Sequence, residues 1–127
     1  MQTILVDTDV LVDHLRGLAK AVAFIQAERD RIALSAITVA ELYAGVREGE
    51  ERERLDELVS VFAVLPVTPE IARMAGLYKR DFAKSHGVGL ADCLIASTAQ
   101  AHRLGLVTLN RSHYPMLPAL KTPYRKN

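Results

Sequence analysis

The chain has one cysteine, Cys93, in 127 residues. A lone thiol closes no internal disulfide, so a disulfide framework is excluded and a reducing cytoplasm is the expected location. A zinc site is disfavoured as well. His14, His86, His102 and His113 show no HxH or HExxH spacing, and no second Cys stands near any of them. Neither sign of charge dominates, with 16 Lys and Arg against 15 Asp and Glu, so net charge neither demands nor opposes a nucleic-acid partner. No apolar run approaches the roughly 18 to 20 residues of a membrane span. Asp7, Asp9 and Asp13 interrupt the first apolar stretch, which argues against a signal peptide, and a soluble protein with no membrane partner is expected. No Gly-rich phosphate loop follows that stretch, which weakens a nucleotide-binding reading. Repeats, low-complexity segments and Gly/Ser linkers are also lacking. A single domain over residues 1–127 is expected, with "KTPYRKN", residues 121–127, as a loose tail.

Half of the residues are hydrophobic, enough for a core in a chain of this length. Their pattern alternates between two kinds. Short β-branched runs, "TILV", "RIALSAI", "FAVLPV" and "GLVTLN", suit strands buried on both faces. Between them lie helical patterns at residues 10–15, 19–28, 39–46, 50–61, 69–85 and 90–104, with Gly105 expected to close the last one. Strands alternating with helices imply right-handed crossovers and a parallel sheet. The expected fold is a three-layer α/β/α sandwich around four to five parallel strands.

Ligands of such sheets bind beyond the carboxyl ends of the strands, where helix N-termini converge. Asp7 follows "TILV" directly, Glu41 and Asp92 fall in the first turns of predicted helices, and Asn110 ends "LVTLN". Each residue also has a plain structural reading. Thr38 to Glu41 fits a capping box, Asp9 and Asp92 suit the positive end of a helix, and Asn110 suits a turn. Their convergence is the stronger signal. Three carboxylates at one edge repel one another unless a cation sits among them, and an all-oxygen set without His or Cys suits Mg²⁺ or Mn²⁺.

Four segments in order, "VDTDVLVD", "ITVAELYAGV", "GLADCLIASTAQAHRLGL" and "VTLNRSHY", resemble the PIN-domain ribonucleases, in particular the VapC-type toxins of toxin–antitoxin systems. The resemblance spans essentially the whole chain. It implies a metal-dependent endoribonuclease, with Asp7, Glu41 and Asp92 as the acidic active-site residues that bind a divalent metal. Asp9 matches a supporting hydrogen-bonding position. Asn110 matches a fourth active-site position that is acidic in many members. The partners implied are an RNA substrate, a VapB-like antitoxin and a second copy of the chain in a homodimer.

The chemistry agrees with the residues. Phosphodiester hydrolysis needs an activated water and neutralisation of charge on phosphate, which a Mg²⁺ ion held by Asp7 and Asp92 supplies. Glu41 is either a further ligand or a residue that positions the water. An acidic site also needs a cationic rim to receive RNA, for which Lys79, Arg80, Lys84, His86, Arg103, Arg111, Lys121, Arg125 and Lys126 are the candidates. Two alternative functions stand beside this one: a housekeeping PIN nuclease or other metal-dependent phosphohydrolase, and a PIN-like binding module without catalysis.

Overall fold

A computed structural model describes residues 2–126. Met1 and Asn127 lie outside the described residues. The elements run β1 (Ile4–Val6), α1 (Thr8–Leu15), α2 (Ala19–Glu28), β2 (Ile32–Ser35), α3 (Ala36–Ala44), α4 (Glu50–Ser60), β3 (Ala63–Leu65), α5 (Pro69–His86), α6 (Leu90–Ala101), β4 (Gly105–Val107) and β5 (Leu120–Lys121). Single 3₁₀ turns occupy Arg29–Arg31 and Arg111–His113. All strand pairs are parallel, in the order β3-β2-β1-β4-β5. The expected three-layer arrangement with a parallel sheet is therefore what forms, with five strands.

The central strand explains its own sequence. Ile4 and Val6 point into one core with Val10, Leu11, Ile25, Leu34 and Leu55 from the helices α1, α2 and α4 and the strand β2. Leu5 points the other way, against Ile95, Ala96 and Ala99 of α6. Both faces are covered, so the run is apolar throughout rather than alternating. Helix α5 packs beside α6, where Ala75, Val88 and Cys93 form a smaller cluster with Tyr78 and Phe82. Cys93 is fully buried there, and burial pushes its thiol pKa up, as fits a small apolar residue rather than a nucleophile. Thr68 caps α5 by accepting from the Ile71 N–H (3.2 Å), and Gly87 ends it in the left-handed conformation at φ 62°.

Four local expectations are corrected. Helix α3 begins at Ala36, not Val39, because Ser35 takes the cap position and its Oγ accepts from the Ile37 N–H (3.1 Å). Thr38 is therefore a buried helical residue, Glu41 lies in the second turn, and no capping box joins them. Helix α1 likewise begins at Thr8, capped by Asp7. At the end of α6 the left-handed residue is Arg103 (φ 55°), and Gly105 is already in β4. That conformation costs a non-glycine residue about 1 kcal/mol. Finally, residues 121–126 of the tail expected to be loose are held in place, and Asn127 of that tail lies outside the described residues. Lys121 pairs in β5, the Tyr124 hydroxyl donates to Asp13 Oδ2 (2.8 Å), Lys126 Nζ lies 3.1 Å from the same oxygen, and Lys20 Nζ donates to the Arg125 carbonyl (2.6 Å).

Among the described residues no helix is long and apolar enough to cross a membrane.

Candidate active site

The strand order sets the site. From β1 the chain moves outward to β2 and β3, then returns to the other side of β1 for β4 and β5, so the direction reverses between β1 and β4. Crevices open at such switch points because the neighbouring connections leave on opposite faces. Asp7 stands at the end of β1, and Thr108 to Asn110 follow β4. A cavity of about 380 Å³ opens there, lined by Asp7, Thr8, Asp9, Val12, Asp13, Arg16, Glu41, Asp92, Asn110, His113 and Lys126. The four residues expected in the active site thus share one cavity.

Asp7 is the most enclosed of them, at 5% exposure. Its Oδ1 accepts from the Thr8 N–H (2.8 Å), while its Oδ2 accepts from Thr108 Oγ1 (2.8 Å) and from the Tyr114 hydroxyl (2.8 Å). Burial raises its pKa, the three hydrogen bonds oppose that rise, and the charge of Asp92 adds to it. The Tyr114 hydroxyl also reaches Asp92 Oδ1 (3.3 Å), so one buried phenol spans both carboxylates. Its own pKa is driven far up by burial and by those two charges. It keeps its proton and acts as a donor. On the other oxygen of Asp92, His113 Nδ1 lies 3.2 Å away.

Asp9 sits in the first turn of α1. Its Oδ2 accepts from the side-chain amide of Asn110 (2.8 Å) and from the Leu109 N–H (3.1 Å), tying α1 to the segment after β4. Its Oδ1 is buried and has no partner among the described residues. Burial first, and then the charge of Asp7, raise its pKa to about 6. Glu41 is different: it is exposed, and its Oε1 accepts from Thr8 Oγ1 (2.7 Å). Thr8 Oγ1 also lies 3.2 Å from Thr38 Oγ1, which links α1 to α3 beneath Glu41.

Carboxylate, amide and hydroxyl oxygens surround the cavity, with one imidazole, His113, beside Asp92; a set so dominated by oxygen fits a hard divalent cation better than zinc. Asp7 and Asp92 meet through Tyr114, but Glu41 is not drawn in with them. Among the described residues no three His, Cys, Asp or Glu side chains close into a metal-ligating group. Two neighbouring carboxylates fit a hard divalent cation that takes few protein ligands.

Sequence reasoning did not single out Tyr114, Thr108 or Thr8. Tyr114 is separated from Asp7 by 107 positions, and no local pattern marks the contact. The cationic rim is also narrower than expected. Lys79 Nζ donates to the Val88 carbonyl, Arg80 pairs with Asp81, and Arg111 donates to the Leu120 carbonyl. Arg103 and Lys121 line a separate cavity with Ile4 and Gly105 at the opposite ends of the central strands. Only Lys126 of the nine candidates lines the acidic cavity among the described residues, joined by Arg16, which was not a candidate. A larger groove of about 460 Å³ adjoins the site and shares Val12, Arg16 and Glu41 with it. Leu15, Leu42, Val46 and Leu55 give that groove an apolar floor.

Comparison with known proteins assigns the family. The PIN domain family matches residues 4–115. Ribonuclease VapC10 of Mycobacterium tuberculosis is 45% identical over 124 residues, covering 95% of this chain and 92% of that protein. Ribonuclease VapC19 of the same organism is 42% identical over 94% of this chain and 98% of its own length. A toxin–antitoxin complex from Klebsiella pneumoniae contains a chain that superposes with a TM-score of 0.82 at 29% identity, covering 96% of this chain and 98% of that one. The chain belongs to the PIN-domain family, and within it to the VapC-type proteins.

Proposed function

We propose that this protein is an endoribonuclease that hydrolyses RNA phosphodiester bonds with a divalent cation, Mg²⁺ or in its place Mn²⁺, and acts as the toxin of a toxin–antitoxin pair. The observation that carries this reading is the shared cavity of Asp7, Glu41, Asp92 and Asn110 at the switch point of the sheet. The VapC ribonucleases that the chain resembles support it.

Asp7 and Asp92 would hold the cation, Asp7 kept in place by three donors and Asp92 set beside it by the Tyr114 hydroxyl they share. The bound cation supplies a water of lowered pKa and neutralises charge that builds on the phosphate. Glu41, tethered by Thr8 but exposed, orients the attacking water through one of its oxygens. Asn110 has a supporting part, since its amide fixes Asp9 and the loop after β4. Asp7 and Asp92 alone would leave such a cation room for water and for a substrate phosphate oxygen.

The groove beside the cavity, with an apolar floor and a charged rim of Arg16, Glu41, Arg47, Glu51 and Arg54, suits an amphipathic antitoxin segment laid across α1, α3 and α4, so that one partner blocks both the groove and the approach to the carboxylates. A homodimer, which the family resemblance implies, belongs to the same reading.

Purified protein should cleave single-stranded RNA with Mg²⁺ and lose all cleavage in EDTA. Asp7→Asn and Asp92→Asn should each lower the rate by orders of magnitude, because each removes a ligand. Full activity of either variant, or equal activity in EDTA, overturns the assignment.

A further inference from the structure

Asp13 is a carboxylate at 5% exposure on the last turn of α1, one turn beyond Asp9. A buried charge of this kind is tolerated only with partners. Both of its partners come from the far end of the chain. Tyr124 donates its hydroxyl to Oδ2 and packs its ring against the core of α1 and α2, and the Lys126 ammonium lies 3.1 Å from the same oxygen. Between them, the Arg125 carbonyl is held by Lys20 from α2. Residues 124–126 are thereby held at three successive positions, two of them on Asp13 of α1 and one on Lys20 of α2. Yet the Lys126 side chain remains 55% exposed and lines the acidic cavity, as does exposed Arg16.

A phosphate approaching Asp7, Asp9, Asp92 and Glu41 meets repulsion from each, and two cations at the mouth offset it. Resting on the ribonuclease reading, the geometry points to residues 124–126 as a strap, latched on Asp13, that sets Lys126 beside Arg16 to bind an RNA backbone phosphate flanking the bond to be cut. Asp13 then has a function apart from the catalytic carboxylates. Tyr124 is a positioning residue that acts through Lys126, and Lys126 itself contacts substrate.

The test is fluorescence anisotropy of a labelled single-stranded oligoribonucleotide of mixed sequence, titrated with the full chain in EDTA, where nothing is cleaved, over a series of salt concentrations. A single-strand phosphate contact contributes about 0.7 to the slope of log Kd against log salt. Lys126→Ala should lower the slope by about that amount and weaken binding about three- to tenfold at low salt. Arg16→Ala should do the same, and Lys126→Arg should restore the slope. Tyr124→Phe keeps the ring and its packing but removes the latch, and it too should lower the slope. Lys126→Ala removes one of the two partners of buried Asp13, so its melting temperature should fall; a cooperative melt that still lies well above the assay temperature shows that the variant binds as a folded protein. Binding by wild type with superimposable salt plots for Lys126→Ala overturns the strap alone. A normal slope in Tyr124→Phe with a reduced one in Lys126→Ala overturns the latch. No RNA binding by wild type in EDTA overturns the strap, whereas absence of RNA cleavage by the same preparation with Mg²⁺ overturns the ribonuclease reading on which it rests.

Discussion

Asp9 gives the sharpest quantitative prediction. Its pKa stands at about 6 against the ordinary 3.8, chiefly through burial and then through the charge of Asp7. A shift of that size corresponds to about 3 kcal/mol between the two protonation states, which partial exposure reduces to about 1 to 2 kcal/mol. The sign follows from linkage. Below the unfolded pKa the carboxyl is protonated in both states and costs nothing. As pH rises through about 6 the folded state must ionise a group that is already ionised in the unfolded chain, and stability is lost. Asp9→Asn keeps an oxygen to accept from Leu109 N–H and Asn110 Nδ2, and it cannot ionise. A constant offset is expected from placing an amide where Oδ1 has no partner, but that offset does not vary with pH. The stability of the variant relative to wild type, in EDTA, should therefore grow by about 1 to 2 kcal/mol between pH 4 and pH 7.5. In a domain of this size that is a growing difference of about 4 to 8 °C in Tm. Thermal melts of both proteins across that range measure it. Parallel Tm curves would show that Asp9 ionises freely and that its enclosure has no electrostatic cost.

Two further outcomes concern the paired carboxylates. Asp92→Asn removes a charge that raises the pKa of Asp7, so in EDTA it should be as stable as wild type or more so. Mg²⁺ should stabilise wild type by about 2.7 kcal/mol at a hundredfold excess over Kd and the variant by far less, as read from melts along a Mg²⁺ titration; equal gains would remove Asp92 from the metal shell. Tyr114→Phe deletes the hydroxyl shared by Asp7 and Asp92 and should cost about 1 to 2 kcal/mol in EDTA. Urea unfolding that gives the same midpoint for Tyr114→Phe and wild type would show the phenol to be idle packing.

Local sequence determined the alternation of short apolar runs with amphipathic helices, since burial on two faces and burial on one stripe leave different periods. It therefore determined the layers, and it put Asp7 at the end of the central strand and Asp92 in the first turn of α6. Motif order extended this to Glu41 and Asn110. Local reading failed where two residues competed for one role. Ser35 and Thr38 both suit a helix start, and only the end of β2 at Ser35 decided between them, moving Glu41 into the second turn. Arg103 and Gly105 competed likewise, and pairing of Gly105 with Ile4 claimed the glycine for the sheet. Side-chain partners were beyond reach for a different reason. Tyr114 meets Asp7 and Asp92, and Tyr124 meets Asp13, only because β4 and β5 return to the far side of β1. No periodicity or cap encodes a contact across about a hundred residues. The order in which the strands pack creates it, and burial then makes each unpaired carboxylate costly enough to require its donor.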